Sequence, residues 1–278
     1  MSRSSSDVPI VVLDALMPVT QRLVVNRRGS TVWEVECDRG RYAVKLGYAI
    51  EATADWPAQP WTALAPAREG AVLHRLGFDD FAYGEWERGT WNFQPWHEGP
   101  DLYQLWEPCR GQGSPLEPLT GVALGCIEAL AELHAKGWAH GDVQPAHFII
   151  GPERTYLIDL ALARGGPVPE EYDFPFRGCL VHYEAPEIAR SVLATGEAEP
   201  TREADIYALG ASLLISATGW RAVEYPDDAP RPVQREAVAS GRRRPVRAAG
   251  ELGALIDAML GHAPEDRPTI NEVAKALS

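Results

Sequence analysis

The chain has few cysteines, and their spacing excludes two classes of site. The four are scattered along the chain with no CxxC pair: Cys37, Cys109, Cys126 and Cys179. Such spacing argues against a disulfide framework and against a zinc site. It fits a reduced cytoplasm best, so we expect a cytoplasmic protein.

The chain also lacks long apolar runs. No run approaches the roughly 18 residues that a membrane-spanning helix needs, so we expect no membrane partner. Residues Met1 to Asp7 are polar and Ser-rich, without the apolar stretch of a secretory signal. We expect them to form a frayed tail.

Positive charge is scarce. The chain has 26 Lys and Arg against 39 Asp and Glu, a formal net charge of −13. Such a surface repels nucleic acid, so we expect no nucleic-acid partner. One local exception is Arg242-Arg243-Arg244 with Arg247. It is either a solvated loop or a docking site for an acidic or phosphorylated peptide.

The pattern of apolar residues predicts mainly strands in about the first third of the chain and mainly helices after it. Short β-branched and aromatic runs in the first part predict strands, at 23–25, 32–35, 41–46, 81–87 and 90–95. Asp38-Arg39-Gly40 predicts a hairpin turn. A helix is predicted to begin near Ala67 and to end at Gly77.

The rest of the chain is predicted to be mostly helical. Residues 119–136 carry an apolar helical stripe, 148–150 and 156–158 read as short strands, and the helical pattern resumes at Glu203. We therefore predict an α+β fold with two lobes. The expected division is a disordered tail or lead-in at 1–19, a β-rich lobe at 20–97 and a helical lobe at 98–278.

Phosphoryl transfer requires a cation for the nucleotide phosphates, carboxylates for a metal, a carboxylate for the attacking hydroxyl's proton and a loop that covers the phosphates. Each has a candidate in this chain. Lys45 lies at the end of an apolar strand and Glu69 lies early on the following helix. Each alone is typical of a surface residue, but as an ion pair they would aim the lysine at phosphate oxygens. Asp142 and Asp159 adjoin neighbouring short strands, which suits one proton-accepting and one metal-binding role.

Five motifs then carry a resemblance to protein kinases, in the right order and over residues 20–278. Leu133 to Asp142, with His140-Gly141-Asp142, looks like the approach to the catalytic loop. The others resemble the DFG motif, the APE motif, the following buried helix and the late arginine element. They are Asp159-Leu160-Ala161, Tyr183-Glu184-Ala185-Pro186-Glu187, Glu203-Ala204-Asp205-Ile206-Tyr207-Ala208-Leu209-Gly210 and Pro264-Glu265-Asp266-Arg267-Pro268.

The resemblance implies a role for each matching position. Lys45 would contact the ATP phosphates with Glu69 as its partner, Asp142 would be the catalytic base, and Asp159 would hold Mg²⁺. Arg267 would pair with Glu187. Residues 94–97 would be the hinge, where the Pro95 carbonyl and the His97 amide could hydrogen-bond adenine.

The phosphate loop departs from the family pattern. Residues 26–31 contain one glycine, Gly29, where the family has GxGxxG. We assign Gly29 and Arg28 to cofactor binding, with Arg27 or Arg28 either supplying compensating charge or facing solvent.

The catalytic loop departs too. Gln144 stands where protein kinases carry a lysine, so stabilisation of transition-state charge is weaker or comes from elsewhere. His147 takes the position of the metal-binding asparagine. Imidazole is a poor ligand for Mg²⁺ and a better one for Mn²⁺. We therefore assign Gln144 to catalysis and His147 to the metal, with Mg²⁺ or Mn²⁺ as the ion. The alternative is that His147 contacts a phosphate as a hydrogen-bond donor.

The residues that would take part in regulation also differ from the family pattern. Gly141 replaces the arginine that normally receives an activation-segment phosphate. Between Asp159 and Glu187 the chain has no Ser or Thr, only Tyr172 and Tyr183. We predict a constitutively competent or partner-controlled enzyme.

Three hypotheses about function remain. The leading one is a kinase for Ser or Thr hydroxyls of a peptide or protein, including a precursor peptide from which a partner lyase eliminates the phosphate. A small-molecule kinase is suggested by His140-Gly141-Asp142 and opposed by the APE element. A nucleotide-binding pseudokinase scaffold is the third. The segment 51–66, with Trp56 and Trp61, either binds a partner protein such as a lyase or activator, or packs on its own lobe.

Overall fold

The structure is a computed structural model that describes residues 8–27, 29–53, 58–110, 119–246 and 251–277. The predictions for Met1 to Asp7, Arg28, Trp56 and Arg247 lie outside these residues. The chain divides into two compact units. The first runs to Trp96 and also includes Gly166–Phe174, and the second comprises His97–Gly165 and the chain from Pro175 onward.

The first unit is built on an antiparallel sheet of five strands in the order β1-β2-β3-β5-β4. The strands are β1 (Thr20–Arg27), β2 (Ser30–Cys37), β3 (Gly40–Tyr48), β4 (Ala82–Trp86) and β5 (Gly89–Pro95). All five runs that the sequence predicted as strands are strands here. The predicted hairpin turn joins β2 to β3, where Cys37 pairs with Gly40.

One face of this sheet is apolar because side chains alternate along a strand. Val44 and Leu46 of β3 and Trp91 and Phe93 of β5 are buried in one cluster. A short helix, α1 (Ile10–Leu16), buries Val12 and Leu16 in the same cluster. Residues 10–16, which we expected to belong to a tail or lead-in, are therefore a packed helix.

The opposite face packs against α2 (Ala65–Leu76). This helix begins two residues before the expected Ala67, with Pro66 in its first turn, where proline's missing N–H costs nothing. It ends at Gly77, as the sequence predicted. The helix buries two charged residues, Arg68 and Glu69, at 0% and 1% relative exposure.

The second unit is mostly helical. Its helices and its one small hairpin are α3 (Leu102–Leu105), α4 (Thr120–Ala135), β6 (Phe148–Ile150), β7 (Thr155–Leu157), α5 (Pro186–Thr195), α6 (Arg202–Thr218), α7 (Arg231–Ala239), α8 (Glu251–Met259) and α9 (Ile270–Leu277). Leu130, Leu209, Leu213 and Ile256 are fully buried in its core. Each such side chain stabilises the fold by about 1.5–3 kcal/mol.

The predicted α+β organisation is confirmed. An antiparallel five-stranded sheet is followed by a mostly helical region, which is consistent with a bilobal kinase fold. Within the described ranges, no helix has the length and apolar character needed to cross a membrane.

Candidate functional site: two charged clusters

The first cluster is a buried ion pair in the first unit. Lys45 Nζ lies 2.7 Å from Glu69 Oε1, with side-chain exposures of 13% and 1%. The amides of Asn92 and Gln94 also donate to the Glu69 carboxylate, at 3.0 and 3.1 Å. A charge this deeply buried is tolerated only with such partners. The network fixes the carboxylate, and the carboxylate fixes the amine.

Sheet register explains why these side chains meet. Lys45 on β3 is the direct cross-strand neighbour of Asn92 on β5, and Ala43 is the neighbour of Gln94. Directly paired residues point to the same face, and Asn92 and Gln94 share that face because they are two residues apart. Glu69 comes to them from α2, which packs on that face.

Gly29 lies in the tight turn between β1 and β2. Its φ of 83° is in the left-handed region that glycine adopts without strain. A Cβ there would lie only 2.9 Å from atoms of the Ile50 side chain and 3.0 Å from Thr62. Its carbonyl accepts from the Tyr48 amide at 3.0 Å. The turn and this packing account for the glycine, and its role toward phosphate stays a prediction.

The two hinge candidates fall on either side of the division between the units. Pro95 ends β5 and pairs with Tyr42 of β3. His97 begins the second unit and stacks on Tyr156, with ring centroids 3.9 Å apart. Burial, together with the charge of Arg154, lowers the pKa of His97. Their role in binding adenine stays a prediction.

The second cluster gathers four predicted site residues in the second unit: Asp142, Gln144, His147 and Asp159. The Gln144 amide donates to Asp142 Oδ2 at 3.1 Å and lies 3.2 Å from His147 Nε2. His147 Nε2 lies 3.4 Å from Asp159 Oδ2. Gln144 therefore holds the Asp142 carboxylate as a neutral donor rather than offering a cation.

The tautomer of His147 follows from its contacts. Its Nδ1 lies 2.9 Å from the Asp142 backbone carbonyl, which can only accept, so Nδ1 carries a proton. In the neutral ring Nε2 then presents its lone pair toward the Gln144 amide and the Asp159 carboxylate. Asp159 adopts a left-handed conformation, with φ 67°, just after β7. Aspartate enters this region more readily than most residues.

A buried aspartate on α6 shapes the backbone that carries Asp142. Asp205 accepts hydrogen bonds from the backbone amides of His140 and Gly141, at 2.6 and 2.9 Å, and contacts His134 Nε2 at 2.9 Å. His140 itself accepts from the Asp142 amide through Nδ1 and donates from Nε2 to the Ile158 carbonyl. The imidazole thus ties the Asp142 loop to the segment that leads to Asp159.

The backbone conformation at position 141 explains why this residue is a glycine. Its φ is 78°, and an added Cβ would lie 3.0 Å from the Leu162 carbonyl oxygen and 3.2 Å from Pro200. The loop conformation itself therefore disfavours the arginine that protein kinases carry at this position.

Burial changes the proton affinities in this loop. It raises the pKa of Asp142 to about 6, with the Asp159 charge adding to the shift, while His147 and the Gln144 hydrogen bond oppose it. Burial lowers the pKa of His140 to about 4, so its ring is neutral at pH 7. Within the described part of the chain, Asp142 Oδ1 has no hydrogen-bond partner although it is buried.

The late arginine element folds as the motif predicts. Both Arg267 Nη atoms lie 2.7 Å from the two oxygens of Glu187, and the Arg267 side chain is fully buried. The guanidinium also donates to the carbonyls of Gly261, Glu203 and His262. A planar fork of donors suits this arrangement, and a lysine does not.

Two of the three described arginines in the basic run pair with the chain's own carboxylates. Arg243 lies 2.6 Å from Asp257, and Arg244 lies 2.9 Å from Glu224. These pairs favour the solvated-loop interpretation over a docking site.

Sequence reasoning missed several residues that build the site. Asn92 and Arg68 had no motif to mark them, and Gln94 was predicted only as part of the hinge. Polar residues inside an otherwise apolar strand or helix face are a signal that could have found all three. Asp205 was recognised as part of a motif, but its hold on the Asp142 loop was not.

Asp159 and His147 are the side chains of the second cluster that could bind a divalent metal. Asp159 offers a half-exposed carboxylate, and His147 Nε2 faces it at 3.4 Å. Among the residues described, no group of three or more His, Cys, Asp and Glu side chains could hold a metal. Two protein ligands fit an ion whose remaining ligands are nucleotide phosphates and water.

Comparisons with known proteins agree with the fold. The chain is 29% identical to serine/threonine-protein kinase 16 of Mus musculus over 142 residues, 44% of this chain and 47% of that protein. It is 28% identical over 188 residues to serine/threonine-protein kinase PkaA of Streptomyces coelicolor, 65% of this chain and 32% of the relative. It is 28% identical over 214 residues to mitosis inhibitor protein kinase wee1 of Schizosaccharomyces pombe, 64% and 23% respectively.

No protein-family model matches the chain. In each of these three pairs the match spans less than half of the relative's own length. Sequence and fold together make the chain a distant homologue of Ser/Thr protein kinases. The homology implies ATP and a divalent metal in general terms.

Proposed function

We propose that this chain is an ATP-dependent phosphotransferase that phosphorylates Ser or Thr hydroxyls of a peptide or protein. The observation that carries the proposal is the state of Asp142. Gln144 holds one carboxylate oxygen, and the other is buried without a hydrogen-bond partner among the described residues. A substrate hydroxyl would supply the missing hydrogen bond, and its proton would pass to a carboxylate whose pKa is about 6.

The buried ion pair supports the same chemistry. A lysine fixed by Glu69, and through it by Asn92 and Gln94, has its amine oriented before any ligand binds. Such preorganisation lowers the cost of binding an anionic phosphate chain. Lys45 would bind the phosphates, while Glu69, Asn92 and Gln94 position it.

Asp159 and His147 would hold the divalent ion. When bound, the ion would neutralise charge on the phosphate oxygens. The Nδ1–H contact to the Asp142 carbonyl keeps the His147 ring oriented, with Nε2 toward Asp159. A carboxylate and an imidazole together favour Mn²⁺ over Mg²⁺.

A polypeptide substrate is favoured by one observation. The Glu187–Arg267 pair anchors the element after the segment that in protein kinases forms a peptide-binding platform. A precursor peptide that a lyase then acts on is a special case of this substrate class. A small-molecule kinase would need no such element.

A pseudokinase is the second candidate, and the β1–β2 turn favours it. Gly29 is packed against Ile50 and Thr62, and its carbonyl is bound by Tyr48. Close backbone approach to phosphates would therefore require this turn to move. Under this alternative the chain would bind nucleotide and a partner protein without transferring phosphate.

The test is transfer of label from γ-labelled ATP, in Mg²⁺ and in Mn²⁺, to a library of Ser- and Thr-containing peptides and to a parallel set of small alcohols. We expect labelled peptides with the wild-type protein and loss of label with Asp142→Asn. Asp79→Asn, an exposed carboxylate, is the matched control. Nucleotide binding without any transfer would favour the pseudokinase, and label in the alcohols alone would favour a small-molecule kinase.

A further inference from the structure

Residues 166–174 belong to the compact first unit although they lie far along the chain from its sheet. They fall between Asp159 and Glu187, the segment that has no Ser or Thr. Any contact that fastens them to the first unit therefore works without a phosphorylated serine or threonine.

The strongest of these contacts involves a buried cation. Arg68 on α2 has 0% relative exposure, and its Nε lies 3.0 Å from Asp173 Oδ1. Its guanidinium also lies 5.5 Å from the ring of Phe174, which is buried. A buried guanidinium needs charged and aromatic partners of this kind. The end of the segment is therefore bound where α2 is least exposed.

Further contacts fasten the rest of the segment. Arg75, two turns along α2 from Arg68, donates from Nε to the Pro167 carbonyl at 3.1 Å. Tyr172 sets its ring edge against Tyr83 of β4, with centroids 6.1 Å apart. Burial and the charge of the nearby Glu85 carboxylate raise the pKa of the Tyr172 hydroxyl. Both ends and the middle of the segment are thus attached to α2 and β4.

The position of Arg68 connects this attachment to the ion pair. Arg68 immediately precedes Glu69 on one helical turn, and successive residues of a helix point about 100° apart. One side of the turn holds Asp173, and the other presents Glu69 to Lys45, Asn92 and Gln94. A rotation of this turn would break both sets of contacts together.

We infer that Arg68 and Asp173 are positioning residues: their ion pair fastens residues 166–174 to α2 and holds Glu69, and through it Lys45, in the paired arrangement without phosphorylation. The consequence for Lys45 rests on the proposed function, whereas the fastening itself does not. Asp173 does here, as an ordinary carboxylate, what an added phosphate would do as an anion opposite an arginine.

Hydrogen exchange of the nucleotide-free full chain tests the fastening. Asp173→Asn removes the charge at nearly constant volume, and Glu170→Gln makes the same charge change at an exposed site in the same segment. We expect amides of 166–174 to exchange at least about tenfold faster in Asp173→Asn and unchanged in Glu170→Gln. Equal exchange in both variants and the wild type would overturn the inference. If Asp173→Asn does not fold, Arg75→Gln, at an exposed site, is expected to speed exchange near Pro167, and no change there would also overturn it.

Binding of a non-hydrolysable ATP analogue tests the link to Lys45. We expect Asp173→Asn to raise the Kd about 10- to 100-fold in the wild-type background. In a protein that already carries Lys45→Ala, adding Asp173→Asn should raise the Kd less than about twofold, because both changes act through the Lys45 amine. An equal rise in both backgrounds would overturn the link. If the wild-type chain binds no analogue, the proposed function and the link both fail, while hydrogen exchange still decides the fastening.

Discussion

The Lys45 ammonium and the Glu69 carboxylate form a buried ion pair with an Nζ–Oε1 distance of 2.7 Å, and two neutral amides of β5 also donate to the carboxylate. Because Lys45, Asn92 and Gln94 all donate to the Glu69 carboxylate, the network depends on its charge. Loss of that charge would leave a lysine and two amides with a poorer acceptor.

Glu69→Gln is therefore expected to destabilise the protein by about 3 kcal/mol, since it removes the buried charge that three donors share. Urea unfolding at pH 7 measures it. Glu36→Gln, on the exposed part of β2, is the control and should cost less than about 0.5 kcal/mol. Similar losses in the two variants would show that Lys45 does not depend on the Glu69 charge.

Arg267→Lys is expected to lower the free energy of unfolding by about 3 kcal/mol. Lysine has three donors on a point charge and cannot reproduce the forked contact with Glu187 together with the three carbonyl contacts. The control is Arg243→Lys, whose pair with Asp257 is more exposed and is expected to change stability by less than about 1 kcal/mol. Equal losses of unfolding free energy in Arg267→Lys and Arg243→Lys would contradict this expectation.

Asp142→Asn is expected to stabilise the protein in a pH-dependent way. Because burial raises the pKa of Asp142 to about 6, the folded wild type holds a penalised carboxylate above pH 6. As pH falls through 6 toward 3.8, the folded state takes up the proton first and the penalty is relieved. Asparagine is uncharged at every pH, so the variant never has this penalty. The variant should be more stable by up to roughly 3 kcal/mol at pH 8, and the difference should shrink steadily as pH falls toward 4.

Urea unfolding from pH 8 to pH 4.5 measures this difference, with Asp79→Asn, an exposed carboxylate outside the site, as the control. Comparing variants cancels the titration of the other carboxylates. A difference that stays constant over this range would show that the Asp142 carboxylate has an ordinary pKa in the folded protein.

His147→Asn is expected to change metal preference. The wild type should bind Mn²⁺ in the presence of an ATP analogue more tightly than Mg²⁺, and an amide in place of the imidazole should weaken Mn²⁺ by about tenfold while Mg²⁺ changes little. Electron paramagnetic resonance of bound Mn²⁺, with Mg²⁺ as competitor, reports this without any turnover. His74→Asn, on the exposed side of α2, is the control. An unaltered Mn²⁺ affinity in His147→Asn would remove His147 from the metal site.

The sequence by itself determined the order of the elements. Alternation of apolar and polar residues marked β3 and β5, and it also decided which face carries Lys45, because side chains of a strand point to opposite faces by geometry. The motif around Arg267 and Glu187 likewise predicted a pair that the structure contains. These features are local, or they are carried by residue types that permit few alternatives.

Only the tertiary structure decided which distant residues complete the site. The register that sets Lys45 opposite Asn92 depends on how β3 and β5 pair across a helix and another strand. The ion pair of Arg68 with Asp173 joins residues 105 apart, and the hold of Asp205 on Gly141 joins residues 64 apart. No periodicity of the sequence spans such separations. Contacts between residues so far apart form only when folding brings distant segments together against the entropic cost of closing the loop between them. The same holds for Gly141, whose left-handed conformation and close neighbours become visible only when Leu162 and Pro200 lie beside it.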